Sequence, residues 1–396
     1  MRRTDIAIAG GGLAGSTAAA MLGRAGINAV LIDNHDVYPP DFRSEKIVDS
    51  QIPILHRTGL ADAVLAQATP EQEVWIARFG HVVERRRHSQ HNILYDTLVN
   101  TVRSLIPSST EFIHGKVAAI TTGSDRQTII LSNGEEISSR LIILANGLNT
   151  GLRANLGMRS EIVSPCHSIS IGLDLEPLGR ASFEFPSLTY YSEAVGDRIA
   201  YLTLFPIGST MRANLFVYRG MQDPWFRSFR QAPRDNLFAA LPALHRLTGD
   251  VAAAGPVKVR PVDLYVTEGH RRAGLVLVGD AFSTSCPAAG TGVDKVLTDV
   301  ERLCNVHIPR WLASPGMGEE KIAAFYDDPV KRLCDDWSTA QAYFMRSLTI
   351  DSSIAWRTRR WGRFFGQLGV GTFREVRDRL APRSSPRGDT AAVGGG

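Results

Sequence analysis

The stretch Asp5-Ile6-Ala7-Ile8-Ala9-Gly10-Gly11-Gly12-Leu13-Ala14-Gly15 decides how the chain folds. Ile6 to Ala9 is a short β-type run feeding a Gly10-x-Gly12-x-x-Gly15 turn, and the small and aliphatic residues from about Leu13 to Arg24 predict a helix. A helix stop at Gly26 precedes a second apolar run, Ala29-Val30-Leu31-Ile32, which ends on Asp33. Gly10 permits the tight turn, Gly12 lets the backbone approach a pyrophosphate, and Gly15 lets the helix pack on the strand. The helix N-terminus, with Leu13 and Ala14 in its first turn, presents free N–H groups and partial positive charge to phosphates. An acid about 20 residues on, here Asp33 with Asn34 beside it, is placed for ribose hydroxyls. The pattern predicts a dinucleotide site and does not choose between NAD and FAD.

The chain has 396 residues, 44% hydrophobic and 21% charged, values suited to a globular enzyme of two or three domains. No apolar run approaches the roughly 18 residues of a membrane span, and Arg2 and Arg3 lead into a strand instead of a signal segment. Cys166, Cys286, Cys304 and Cys334 are widely spaced, which predicts neither a disulfide framework nor a zinc cluster but a cytoplasmic protein with reduced thiols. A net charge of +4 does not imply nucleic acid. Arginines between Arg357 and Arg387 alternate with Trp356, Trp361, Phe364 and Phe365. That pattern fits a C-terminal helix docking its aromatics on the core, or a basic surface for peripheral contact with anionic lipid or a partner.

After Asp33, Pro39 and Pro40 open a loop through Phe42-Arg43-Ser44-Glu45-Lys46, where Arg43 and Lys46 are candidates to reach a cofactor. A helical pattern over Ile52 to Leu65 leads to a hairpin over Val74 to Arg87, turning near Gly80-His81. An amphipathic helix is predicted from about Leu94 to Ile106, then strands Glu111–Ile120, Gln127–Leu131 and Ile137–Leu144. The last runs into Asn146-Gly147, and its continuous apolar stretch suits a strand buried on both faces. From Ser164 to Val266 short β-type stretches dominate, with a helical insert over roughly Asp223 to Leu247. The expectation is an α/β fold: a Rossmann-like nucleotide-binding domain (residues 1–163 and 267–310) with an inserted sheet-containing substrate domain (164–266), a C-terminal helical region (311–382) and a disordered tail (383–396).

The second informative segment, Gly279-Asp280-Ala281-Phe282-Ser283 to Cys286-Pro287-Ala288-Ala289-Gly290-Thr291-Gly292-Val293-Asp294, follows the buried run Leu275 to Val278. Asp280, ending a strand, is placed to accept a hydrogen bond from a polyol. The loop with Pro287, Gly290 and Gly292 lets backbone approach a flat ring, and the dipole of the helix beginning near Val293 favours negative charge there.

With these two segments the chain resembles the FAD-dependent monooxygenase family with the p-hydroxybenzoate hydroxylase fold, which includes ubiquinone-pathway hydroxylases. The resemblance covers about the first 160 residues and residues 274–304. It implies FAD pyrophosphate at Gly10, Gly12 and Gly15, adenosine ribose at Asp33 and adenine near Val117. It further implies the ribityl chain at Asp280, with Gly279 before it. Pro287, Gly290, Thr291, Gly292, Val293 and Asp294 would then surround the flavin ring. The implied activity is hydroxylation of a small, aromatic or otherwise activated substrate through a flavin C4a-hydroperoxide, with NAD(P)H or a separate flavin reductase as electron source.

The chain departs from that family at Phe282-Ser283 (usually Ala-His), at Asp294 (usually Asn), at His91 where an Arg-x-x-Leu is usual, and at Asn146-Gly147 (usually Asp-Gly). The last departure predicts weak direct reduction by NAD(P)H. Alternatives sharing the cofactor are a reductase or saturase of the geranylgeranyl reductase type, a halogenase-like enzyme, and a flavoprotein that mainly binds a partner. The halogenase WxWxIP motif is missing, Glu73-Val74-Trp75-Ile76 standing in its place. No catalytic residue is assigned. His167, Tyr190, Tyr191, Tyr201 and Arg212 fall on strands that face either substrate or core. Cys286 is read as packing, and Asp327, Asp328, Asp335 and Asp336 as a solvated helix face, not a metal site.

Overall fold

A computed structural model describes residues 1–380. At its centre lies a five-stranded, all-parallel sheet in the order Leu275–Leu277, Leu141–Leu144, Ile6–Ala9, Ala29–Asp33, Glu111–His114. Ile6, Ile8 and Leu141 to Leu144 have no exposed surface, because helices cover one face and a small sheet the other. The helix Leu13–Arg24 follows the strand Ile6–Ala9 through the first glycine turn, and the helix Gly292–Arg302 follows the strand Leu275–Leu277 through the loop of residues 278–291, so both glycine-rich segments reach the same carboxyl edge.

The expected strand Glu111–Ile120 is two strands. Gly115 donates its N–H to the Asp33 carbonyl (2.8 Å), which ends the parallel pairing. Val117–Thr121 then turns into a separate four-stranded sheet with Gln127–Leu131, Glu136–Ser139 and Arg2–Arg3. Asn133-Gly134 makes the predicted hairpin turn, with Gly134 at φ +85°.

The third sheet has eight strands, in the order Val251–Glu268, Arg159–Pro177, Thr210–Val217, Ile199–Ile207, Ser187–Tyr191, Thr69–Arg78, His81–Leu94, Ser44–Val48. Three of these strands come from residues 44–94, so the 1–163 and 164–266 boundaries do not separate the sheets. The long strands were legible only in fragments because register shifts at Ile162/Ser164 and Ser164/Ser168 break their alternation. One face packs on the helices Trp225–Gln231 and Pro233–Ala240 through Phe226, Phe229 and Leu237. The other brings Ala200, Phe216 and Leu264 against Cys286 and Ala288 of the second glycine-rich loop and Ala342 of the helix Pro329–Ile350. Among the described residues no helix is long and apolar enough to cross a membrane. The last described element is the helix Ile354–Leu380, and the tail expected at 383–396 lies outside the described residues.

Candidate functional site

A continuous groove runs along the carboxyl edge of the parallel sheet. Its first section is lined by Gly10, Asp33, Asn34, Lys116, Val117 and Asn146. The middle section shares Gly10, Asp33, Asn34 and Asn146 with the first and adds Gly12, Leu13, Ala14, Arg43 and Asp280. The last section, about 1040 Å³, shares Leu13, Arg43 and Asp280 and adds Pro287, Gly290, Gly292 and Val293. Residues far apart in sequence thus face one extended slot.

The glycines behave as their spacing requires. Gly10 has φ +108°, and a Cβ there would lie 2.6 Å from the Ala145 carbonyl oxygen. A Cβ on Gly15 would lie 1.8 Å from the Gly10 oxygen, so this glycine serves helix-on-strand packing instead of lining the groove. A Cβ on Gly12 would meet nothing within 4 Å, because the backbone there faces open space. Asp33 is held from two sides: Oδ2 accepts from Gly11 N (2.6 Å) and Oδ1 from His35 N (2.9 Å).

Arg103, which the sequence reading passed over, donates from Nε (2.9 Å) and Nη2 (2.6 Å) to the Gly11 carbonyl. It sits on the helix Tyr95–Ser104, where its place in the last turn reads as an ordinary helix-ending cation. Arg43, a candidate from the sequence, does face the groove. Its guanidinium donates to Asp41 Oδ2 (2.6 and 2.9 Å) and the Tyr38 hydroxyl (3.0 Å) and lies 3.7 Å from the Tyr95 ring centre. Asn146 donates to the Asn149 carbonyl (2.9 Å), while its Oδ1 is buried without a partner on the groove wall.

The second loop is fixed from behind. Arg153, 2% exposed, donates to the Ala281 carbonyl (2.6 Å), and Tyr265 donates to the Asp280 carbonyl (2.6 Å). Burial pushes the Asp280 carboxyl up, against the opposing pull of Lys295, Arg43, Arg260 and Arg153. Asp299 accepts from Gly279 N (3.0 Å) and from Lys331 Nζ (2.8 Å), and Lys295 and Lys331 both face Asp335. Phe282 packs beside this network, with Lys331 Nζ 4.3 Å from its ring centre. This network corrects one expectation. Asp335 belongs to a buried charge cluster, and Asp328 is a buried N-cap accepting from Val330 N and Lys331 N and facing Arg302 and His307, so neither lies on a solvated face. Among the described residues no group of His, Cys, Asp and Glu could hold a metal.

Besides Gly15, two site candidates sit beside the groove instead of in it. Thr291 is fully buried, its hydroxyl 2.6 Å from that of Ser338, and Asp294 accepts from Gln51 Nε2 (2.7 Å). Tyr190 is core, donating to Glu193 (2.5 Å), and His167 is enclosed between the Ser164 hydroxyl and the Ala342 carbonyl. Arg212 pairs with Asp174 (2.6 Å), Tyr201 donates to the Ala288 carbonyl (2.7 Å), and Cys286 is fully buried. Neither glycine-rich turn carries a nucleophile–base pair. The groove suits an extended dinucleotide: open backbone at Gly12, an orphan acceptor at Asn146, and carboxylates at both ends.

The chain is similar to 3-demethoxyubiquinol 3-hydroxylase of Escherichia coli, 28% identical over 335 residues that cover 76% of this chain and 79% of that one. Its fold is that of p-nitrophenol 4-monooxygenase PnpA from Pseudomonas putida DLL-E4, with a TM-score of 0.74 and 15% identity, covering 97% of this chain and all of that one. It is also that of a variant of the halogenase PltM in complex with FAD, with a TM-score of 0.69 and 15% identity over 87% of this chain and 76% of that one. Residues 3–306, which include the whole groove, match the FAD binding domain family, and the chain belongs to that family.

Proposed function

We propose that this protein is an FAD-dependent monooxygenase hydroxylating a small aromatic substrate. The observation that carries the reading is the last section of the groove. There the wall that would meet a flavin ring, Pro287 to Val293, faces Ser170, Asn214 and Phe216 of the eight-stranded sheet across a cavity of mixed polarity. The similarity to a ubiquinol hydroxylase over more than three-quarters of both chains supports the same reaction class.

In this reading Gly10, Gly12, Leu13 and Ala14 hold the pyrophosphate, Asp33 and Asn34 the adenosine ribose, and Val117 the adenine. Asp280 holds the ribityl chain, and Arg43 places positive charge along the same slot. FAD, when bound, supplies the redox chemistry: two-electron reduction and activation of dioxygen. The chain binds and orients. Phe42, Leu148, Phe216 and Val262 give the cavity apolar walls that exclude water. Ser170 Oγ, buried and without a partner, is free to hydrogen-bond a substrate hydroxyl or amine. Asn214, which donates to Ser44 Oγ (3.2 Å), offers its carbonyl oxygen beside it.

The reductant is NAD(P)H, delivered directly or through a separate flavin reductase. A cytoplasmic location accords with four cysteines that form no disulfide. Peripheral contact with an anionic surface belongs to the helix Ile354–Leu380, whose Ile354 and Phe365 are 75% and 62% exposed. The test is a screen of phenols and aminobenzoates for stimulated NAD(P)H oxidation by the purified holoenzyme. Stimulation with a hydroxylated product supports the proposal; a protein that binds no FAD, or that hydroxylates no compound even with NAD(P)H and an added flavin reductase, overturns it.

A further inference from the structure

A second cavity, open to solvent on one side, lies between the eight-stranded sheet and the helices Pro329–Ile350 and Ile354–Leu380, and no residue lines both it and the groove. Tyr201, bonded to the Ala288 carbonyl, has its ring centre 5.0 Å from that of Phe216, which lines the groove, and 6.0 Å from that of Tyr191, which lines the second cavity. Ile199, Met345, Leu348 and Phe364 make the cavity largely apolar, yet three guanidiniums, Arg78, Arg360 and Arg363, converge on it.

No ion pair engages these three arginines among the described residues. Arg78 donates only its Nε to the Ser192 carbonyl (2.9 Å) and lies among aromatic rings, 4.8 Å from Phe79, 5.7 Å from Trp361 and 5.5 Å from Phe364. Arg360 donates to the carbonyls of Leu348 (3.1 Å) and Asp351 (2.7 Å), and Arg363 sits 5.8 Å from the Tyr191 ring centre. Two acids act on these arginines from outside hydrogen-bond range, Glu193 on Arg78 and Asp351 on Arg360, and each already accepts at one oxygen: Glu193 Oε1 from the Tyr190 hydroxyl and Ala243 N, Asp351 Oδ1 from Ser353 N. Burial, and after it the charge of Arg360, pushes the Arg78 guanidinium down from its ordinary value, against a weaker opposing pull from Glu193 and Tyr190. Like charges gathered on a partly desolvated apolar wall are costly unless an anion joins them. A planar guanidinium fork matches a carboxylate in two parallel hydrogen bonds.

We propose that this cavity binds a small amphipathic carboxylate, its acid on Arg78, Arg360 and Arg363 and its apolar chain or ring against Ile199, Met345 and Leu348. The assignment is independent of the reaction at the flavin groove. The experiment titrates full-length holoenzyme with decanoate and, separately, with decanol, by calorimetry. Decanoate is expected to bind saturably, and decanol about tenfold or more weakly. Arg78→Gln and the exposed Arg363→Gln should each weaken decanoate binding by about that factor while leaving decanol binding and FAD content unchanged. Retained FAD shows that each variant is folded. Failure of decanoate to bind, equal affinity for acid and alcohol, or decanoate binding unaltered in both variants would overturn the proposal.

Discussion

Arg103 Nη2 lies 3.3 Å from Asp33 Oδ1 while the same guanidinium holds the Gly11 carbonyl. One side chain on the helix Tyr95–Ser104 therefore braces both ends of the first dinucleotide motif, the glycine turn and the ribose acid. The pair is sheltered, at 8% and 14% side-chain exposure, so bulk solvent screens it less than a surface bridge. Arg103→Ala should leave a folded protein with weaker FAD binding, by about tenfold, the order of one charged hydrogen bond. Flavin fluorescence titration of the apoprotein measures it; unchanged affinity would mean the brace is irrelevant to the site.

At the opposite end of the groove, Asp280→Ala should also weaken FAD binding with the fold intact. Losing one buried hydrogen bond to a polyol costs about 1–3 kcal/mol, or roughly 5- to 150-fold in affinity. An unaltered dissociation constant in this variant would show that the Gly279-Asp280 turn is only a structural loop.

Asn146 has its Nδ2 on the Asn149 carbonyl and its Oδ1 unpartnered. An amide keeps a donor here that a carboxylate lacks, so the two residues order this loop differently. Slow anaerobic reduction of the bound flavin by NADH or NADPH alone is expected, with acceleration by substrate or by a separate reductase. Asn146→Asp should speed direct reduction. Stopped-flow absorbance follows both, and rapid wild-type reduction that Asn146→Asp leaves untouched would contradict this account of the departure.

Glu45, which lines the groove, and its neighbour Lys46, which does not and lies over the Phe205 ring, give the protein a pH signature. Burial pushes the Glu45 carboxyl from 4.5 up to about 7, with Arg43 opposing and Asp280 and Asp41 reinforcing the rise. Burial likewise pushes the Lys46 ammonium from 10.5 down to about 8, Glu45 opposing. A carboxyl whose folded pKa is raised holds its proton more tightly when folded, so stability falls as pH rises from 4.5 to about 7. A lysine whose folded pKa is lowered gives the converse, and stability recovers between about 8 and 10.5. The contribution of this pair is thus least favourable near pH 7 to 8. Urea unfolding of apoprotein from pH 4.5 to about 8 should show Glu45→Gln removing the acidic-side decline; identical pH profiles for wild type and variant would contradict it.

Both glycine-rich segments were legible because their function depends on backbone geometry, which leaves a spacing in the sequence: Gly10 must turn at positive φ, and Gly15 must admit a neighbouring backbone. Asp33 and Asp280 were legible for the same reason, as acids ending apolar runs. Arg103 and Arg153 were not, because each reaches its target across tertiary space and locally resembles any helix-ending arginine. The same blindness turned Asp328 and Asp335 into surface residues, since Lys331, their buried neighbour, reads as a solvated cation until the helix is packed. The participation of residues 44–94 in the large sheet was equally hidden, because strand pairing joins distant segments that carry no mutual mark.

The central claim, an FAD enzyme that transfers oxygen to an organic substrate, is tested most directly by one turnover experiment. Holoenzyme, NAD(P)H and a substrate that stimulates its oxidation are incubated under isotopically labelled dioxygen, and the product is weighed by mass spectrometry. The account predicts one labelled oxygen atom in the product, as a new hydroxyl, for each NAD(P)H consumed in coupled turnover. A product that gains hydrogen with no labelled oxygen, or that carries oxygen from water, would contradict it.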